Sequence, residues 1–239
     1  MSERADGSFP ATHWTLIARL RNPDETVART ALDELCAQYH YPLYCYIRHR
    51  GLAHHDAQDA LQDFFAKLLR LETFAAADAQ KGRLRTYLAT ALQRFLINWR
   101  RDHFEPVRAP EVLDANGERY RQEQFTDDET PERVFERQWG HELLARVLRR
   151  LREEYAGKGR SAVFETLRPI LLAGATLRGE DTPRLAATLG LNPVALRKAF
   201  SRLLGDYRDI LEGEVFLTVA SRSEVEDEID YLFRVFGKD

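Results

Sequence analysis

His54, His55 and Asp56 stand in a row, and histidine beside a carboxylate can hold a divalent metal ion for hydrolysis. Such a site needs further ligands at suitable positions. His40, His49 and Asp59 are available, but no second pair stands at helical spacing. Asp56, Asp59 and Asp63 lie three and four apart with Gln62 beside them, so on a helix they form one acidic stripe. The stripe is either a solvated face or a docking surface for a basic partner helix. Positive charge gathers just beyond it: Lys81, Arg83, Arg85, Arg94, Arg100 and Arg101 stand against one acid, Asp102. Lys81 to Arg85 form a Gly-containing loop beside Tyr87. That combination suits a displaced single strand, where cations follow phosphates and rings stack on bases. Arg94 and Arg101, seven apart, share a helix face and could share contact with a phosphate backbone. An ordinary basic helix surface is the alternative.

The fourth group is TPRLAATLGLNPVALRKAFSRLLGDY, residues 182–207. A first helix from Pro183 to Leu189 meets Gly190 at a sharp turn, and a second helix opens at Asn192-Pro193. Ala186 is small where two helices must approach, and Gly190 can take the left-handed conformation that such a turn needs. Leu191 and Leu196 would lock the second helix onto the first. The pattern predicts a helix-turn-helix, whose second helix places its N-terminal part in a DNA major groove. Val194, Arg197, Lys198 and Ser201 are its outward candidates. Helix pairs with a glycine turn also serve purely structural ends.

The elements that must carry these groups are helical. Leu61, Phe64, Phe65, Leu68 and Leu69 have the spacing of one helix face. So do Leu88, Ala91, Leu92, Phe95, Leu96 and Trp99, then Leu144, Val147, Leu148, Leu151 and Tyr155, and finally Val225, Ile229, Leu232, Phe233 and Phe236. On this wheel Trp99 belongs to the core rather than to a stack of bases. Thr130-Pro131, Thr182-Pro183 and Asn192-Pro193 each set a capping side chain before a proline at the first helical position. No alternating strand pattern and no repeat stands out. The expected fold is all-α, with two helical domains. The first spans 1–104 and the second, a helix-turn-helix domain, spans 131–212. An acidic, Pro- and Gly-containing linker over 105–130 joins them, and an acidic helical extension covers 213–239.

Composition narrows the function. Of 239 residues, 44% are hydrophobic and 31% charged, which is a globular balance. The net charge of −3 favours no nucleic acid, so the local distribution of charge decides. Cys36 and Cys45 form no CxxC pair and have no neighbouring base; they are expected to be core thiols in a reducing cytoplasm. Met1 to Pro10 lacks an apolar signal core, and no apolar run reaches bilayer length. No Gly-rich phosphate loop or GxSxG elbow is present.

Together these segments resemble the sigma-70 family, in particular its extracytoplasmic-function (ECF) branch, over the whole chain. Phe9-Pro10-Ala11-Thr12-His13-Trp14 resembles the opening of an ECF-like group. Tyr39-His40-Tyr41-Pro42-Leu43-Tyr44 and DAQDALQDFFAKLL resemble region 2, while Pro131 to Trp139 and the helix-turn-helix resemble the start and end of region 4. The resemblance implies a non-enzymatic factor, without cofactor or metal, that binds core RNA polymerase and directs it to promoter DNA. An anti-sigma factor would be a further partner. Asp56, Asp59, Gln62 and Asp63 would dock on the coiled coil of the polymerase's largest subunit. Lys81, Arg83, Arg85, Tyr87, Arg94, Asn98 and Arg101 would act at the −10 element, where a flipped base costs a few kcal/mol of unstacking. Val194, Arg197, Lys198, Ser201 and Arg202 would read the −35 duplex. Two readers on one chain gain from effective concentration.

The chain departs from the family pattern in two places. Relatives continue the second helix of the motif as a basic run, whereas Arg202-Leu203 is followed here by Leu204-Gly205-Asp206. Fewer cations should weaken the −35 contact or shift its salt dependence. The stretch Gly174 to Asp181 is also more polar than the pattern. The acidic tail is expected to pack back onto a domain and limit premature DNA binding, so that deleting residues after Gly213 would raise the free protein's DNA affinity. Two rivals stand beside this reading. A stand-alone helix-turn-helix regulator would bind duplex DNA without polymerase, usually as a dimer. A metal phosphohydrolase would use the His54-His55-Asp56 group.

Overall fold

Each apolar run at three- and four-residue spacing becomes a helix in the computed structural model of the chain. The structure describes residues 16–17, 19–20, 22–70, 83–103, 112–123, 125–126, 128–174, 176–177, 181–219 and 221–236, the side chains of 69, 70 and 181 excepted. The helices are α1 (Glu25–His49), α2 (His54–Arg70), α3 (Leu84–His103), α4 (Ala115–Gln122), α5 (Pro131–Gly157), α6 (Ser161–Leu172), α7 (Asp181–Thr188), α8 (Pro193–Phe216) and α9 (Val225–Phe236), with a 3-10 turn at Arg222–Glu224. Among the described residues there is no strand, and no helix is long and apolar enough to cross a membrane. The fold is all-α.

Two units divide the chain. Unit 1 takes in the described residues up to Glu142 and those from Val215 onward; unit 2 is Leu143–Glu214. In unit 1, α1 packs on α2 and α2 on α3. Asp24 caps α1 by accepting from the Thr26 N–H at 2.9 Å, and Leu35, Leu43, Tyr44 and Ile47 are fully buried. Leu61, Phe64 and Leu68 of α2 and Leu88, Leu92, Leu96 and Trp99 of α3 meet them in the core. Burying each such large side chain contributes roughly 1.5–3 kcal/mol. Trp99 lies inward, as the wheel predicts.

Residues 105–130 differ from the expected linker. Their described part belongs to unit 1 and includes α4, capped by Asp114, whose Oδ1 accepts from the Gly117 N–H at 2.9 Å. Tertiary contacts hold it there. The Arg119 guanidinium lies 3.6 Å from the centre of the Tyr41 ring. Tyr120 meets Tyr44 edge-on, and Gln58 donates to Asp114 at 2.7 Å. The boundaries of the second half shift too. Val134, Phe135 and Trp139 are buried within unit 1, so unit 2 begins inside α5.

Unit 2 closes around Leu143, Val147, Leu151, Tyr155, Phe164, Leu167, Leu196, Phe200 and Leu203. Glu214, near the end of α8, pairs with Arg150 at 2.7 Å and Arg146 at 3.4 Å. A cut after Gly213 would remove this partner along with the tail.

Two of the three predicted Pro-start caps form. Thr130 Oγ1 accepts from Arg133 N–H at 3.3 Å, and Asn192 Oδ1 accepts from Ala195 N–H at 2.8 Å. At the third, α7 begins at Asp181, so Thr182 falls inside the first turn. Its hydroxyl is buried without a hydrogen-bond partner among the described residues.

Candidate nucleic-acid interface

The turn between α7 and α8 is built from its backbone outward. Gly190 has φ +63, a region that costs other residues energy. Its N–H donates to Ala187 O at 3.1 Å, and the Leu191 N–H reaches back to Ala186 O at 2.8 Å. These two bonds are a Schellman closure, which satisfies the carbonyls left open at the end of α7. Ala186 is 1% exposed, and Leu196 is fully buried, so the two helices meet through the residues the sequence singles out. Val194, Arg197, Lys198, Ser201 and Arg202 are all exposed on α8. Leu204-Gly205-Asp206 does not end the helix. Leu203 is buried, and Asp206 accepts from the Tyr155 hydroxyl at 2.9 Å. Burial, then this bond, pushes the Tyr155 phenol up to about 12.

Beside this face lies a cavity of about 330 Å³ whose lining includes Tyr155, Arg160, Leu191, Lys198 and Arg202. Arg160, just before α6, was not a sequence candidate. No local pattern ties it to residues some 40 positions downstream.

On α3, Arg94, Asn98 and Arg101 are exposed. Arg101 pairs with its neighbour Asp102 at 3.1 Å, in water that screens the pair. Ile97 is 65% exposed and completes the same stripe, since 94, 97, 98 and 101 stand at helix-face spacing. Helical spacing could have found it; its apolar type hid it. Tyr87 is half-buried, and Lys81 lies outside the described residues.

Arg83 and Arg85 do not share that exposed face. Arg85 is 2% exposed. It forms an ion pair with Glu228 of α9, and its guanidinium lies 4.3 Å from the Trp139 ring centre and 5.2 Å from that of Tyr231. Arg83 Nη2 lies 2.7 Å from the other oxygen of Glu228, a charge contact rather than an aligned hydrogen bond. The Tyr231 hydroxyl donates to Glu136, whose carboxyl is pushed up by burial. Sequence reasoning missed Glu228, because nothing local sets it apart from Glu226, Asp227 and Asp230.

On α2, Asp59 and Gln62 are exposed and Asp56 is half-buried. Asp63 is also exposed, but its Oδ2 accepts from Trp99 Nε1–H at 2.9 Å. It therefore ties α2 to α3 as well as extending the acidic stripe. His54 of the candidate metal group is 1% exposed and shares a 2.8 Å hydrogen bond with the Tyr44 hydroxyl. The Asp114 N–H donates to its other nitrogen at 3.4 Å. Among the described residues no three histidine, cysteine or carboxylate side chains gather to hold a metal ion.

Neither a protein-family profile, nor a curated protein, nor a solved structure matches the chain.

Proposed function

We propose that this chain is a sigma factor of the sigma-70 type, which binds core RNA polymerase in the cytoplasm and directs it to promoter DNA without catalysing a reaction itself. The observation that carries the reading is the helix-turn-helix of unit 2. Its Schellman closure at Gly190 and the buried Ala186 and Leu196 hold α8 so that Val194, Arg197, Lys198, Ser201 and Arg202 stay exposed. A helix presented in this way enters the major groove by its N-terminal part. In this reading it contacts the −35 element.

Two further surfaces support the reading. Arg94, Asn98 and Arg101 present cations and an amide along α3, where they act on the −10 element. Asp56, Asp59 and Gln62 present an acidic, hydrogen-bonding stripe on α2, which meets a basic helix of the polymerase. Asp63 extends the stripe while keeping its bond to Trp99. An anti-sigma factor would compete for one of these faces.

Core-polymerase binding by the wild type, Asp59→Arg and Gln62→Ala tests the proposal. The wild type should bind tightly. Asp59→Arg should weaken binding roughly 10-fold or more, because a like charge now faces the partner. A well-folded wild type that does not bind core, yet binds duplex DNA tightly, would instead be a stand-alone helix-turn-helix regulator.

A further inference from the structure

We infer that α9 is an intramolecular competitor for single-stranded nucleic acid, seated on the Arg83–Arg85 surface of unit 1. The inference rests on the proposed function and adds regulation of Arg83 and Arg85, two of the cations that the family resemblance assigns to the −10 element. A single strand offers a basic surface a phosphate for its cations and a base for its stacking partners. Helix α9 offers the same two groups from protein. Glu228 is fully buried and touches both guanidiniums. One turn later the Tyr231 ring lies 5.2 Å from the Arg85 guanidinium and 5.5 Å from that of Arg83, within cation–π range. Carboxylate and ring together occupy the two arginines that a strand would need.

The remaining charge on α9 repels the same ligand. Glu226, Asp227 and Asp230 are exposed around the buried Glu228, with Arg234 the one cation of the helix. A phosphate backbone approaching Arg83 meets these carboxylates first. Occupation by α9 and by a strand therefore exclude each other, and each must weaken the other equally.

The helix is also held lightly enough to leave. Of its apolar side chains only Val225 and Leu232 are buried, while Phe233 is 60% exposed. Few buried contacts place a segment at the low-stability end of a structure, and a buried ion pair adds little net stability, because desolvation offsets its attraction. The seat on α5 is Gly140, where an added Cβ would come within 2.5 Å of the Phe236 ring and 3.2 Å of Leu232. A side chain at this position would therefore wedge against the end of α9.

The test is a fluorescence-anisotropy titration of labelled oligodeoxythymidine with the full chain and its Glu228→Gln and Gly140→Leu variants, with folding checked by circular dichroism. Both variants should bind more tightly than the wild type, by roughly 5- to 150-fold, the usual range for two coupled sites. Freeing two cations should steepen the salt dependence by about 1.4 in slope, at about 0.7 per phosphate contact on a single strand. Adding Arg83→Ala should lower the gain and take about 0.7 off the added slope. Folded variants with unchanged or weaker affinity would overturn the inference, as would a gain that Arg83→Ala leaves undiminished. If Glu228→Gln fails to fold because Arg85 loses its counter-charge, Gly140→Leu, which keeps every charge, decides. Core-polymerase binding measured in parallel separates the two ideas. A wild type that binds core, with variants that gain nothing, defeats the competitor alone. A wild type that does not bind core defeats the proposed function, and the titration still decides on α9.

Discussion

Single side chains do two jobs at once on this surface. Asp63 belongs to the acidic stripe of α2, yet it accepts the Trp99 indole N–H at 2.9 Å. Trp99→Phe removes that donor and also leaves a smaller ring in the core. It should cost at least about 1 kcal/mol, the worth of one hydrogen bond, with a further cost for the space the indole filled, read in urea unfolding, and should leave core-polymerase binding unchanged. Equal stability would show that the bond to the exposed carboxylate contributes nothing. The two thiols are simpler. Burial pushes Cys36 up to about 11 and Cys45 up to about 12, so both stay protonated at neutral pH and should react slowly with alkylating reagents until the chain unfolds. At this scale residue type and spacing were good guides to what is exposed. Arg94, Arg101, Arg197 and Lys198 all face outward, because a helical wheel needs only local periodicity. Arg83 and Arg85 show where it fails: the partner that removes Arg85 from solvent lies 143 residues away, and no local rule reaches that far.

Helices were legible where their ends and faces were both marked. The α7–α8 turn carries Ala186, Gly190 and the Asn192 cap within a few residues, and backbone chemistry allows few other conformations there. Gly190→Ala places a Cβ in the left-handed region and should destabilise unit 2 by about 1–2 kcal/mol, whereas Asn192→Ala loses the α8 cap and should cost about 1 kcal/mol. Chemical denaturation followed by a probe in unit 2 separates both from an unaffected wild type. Helix α4 was not legible. Its eight residues carry little apolar pattern, and it exists because Arg119, Tyr120 and Asp114 find partners on α1 and α2. Thr182 shows the same limit at one residue: its cap signal is sound, but α7 starts at Asp181, two residues before the expected Pro183, and the Thr182 side chain is buried instead.

For the molecule as a whole, stability should vary with pH through a histidine that is not in the proposed interface. His40 stacks on Phe65 with ring centres 6.3 Å apart, and burial holds its pKa below the usual imidazole value, while Asp114 pulls the other way. The unfolded chain therefore binds the proton more readily than the folded one. This part of the stability is present above about pH 6.5 and is lost as pH falls from there toward the lower folded value. Urea midpoints at pH 7.5 and 5.5 should drop for the wild type and drop less for His40→Gln; equal losses would remove His40 as a cause. The all-α class was readable throughout, since each core stripe is local. The division of the chain was not. Unit 1 draws α9 from beyond unit 2, and periodicity says nothing about which distant helices share a core.

That interrupted order has a consequence during synthesis. A ribosome adds about 5–20 residues per second, and 143 residues separate Arg85 from Glu228. The newborn first half therefore waits on the order of 10 s with Arg85 lacking its counter-charge. Through that interval all of unit 2 emerges, and the basic segment is open to any polyanion near the translating ribosome.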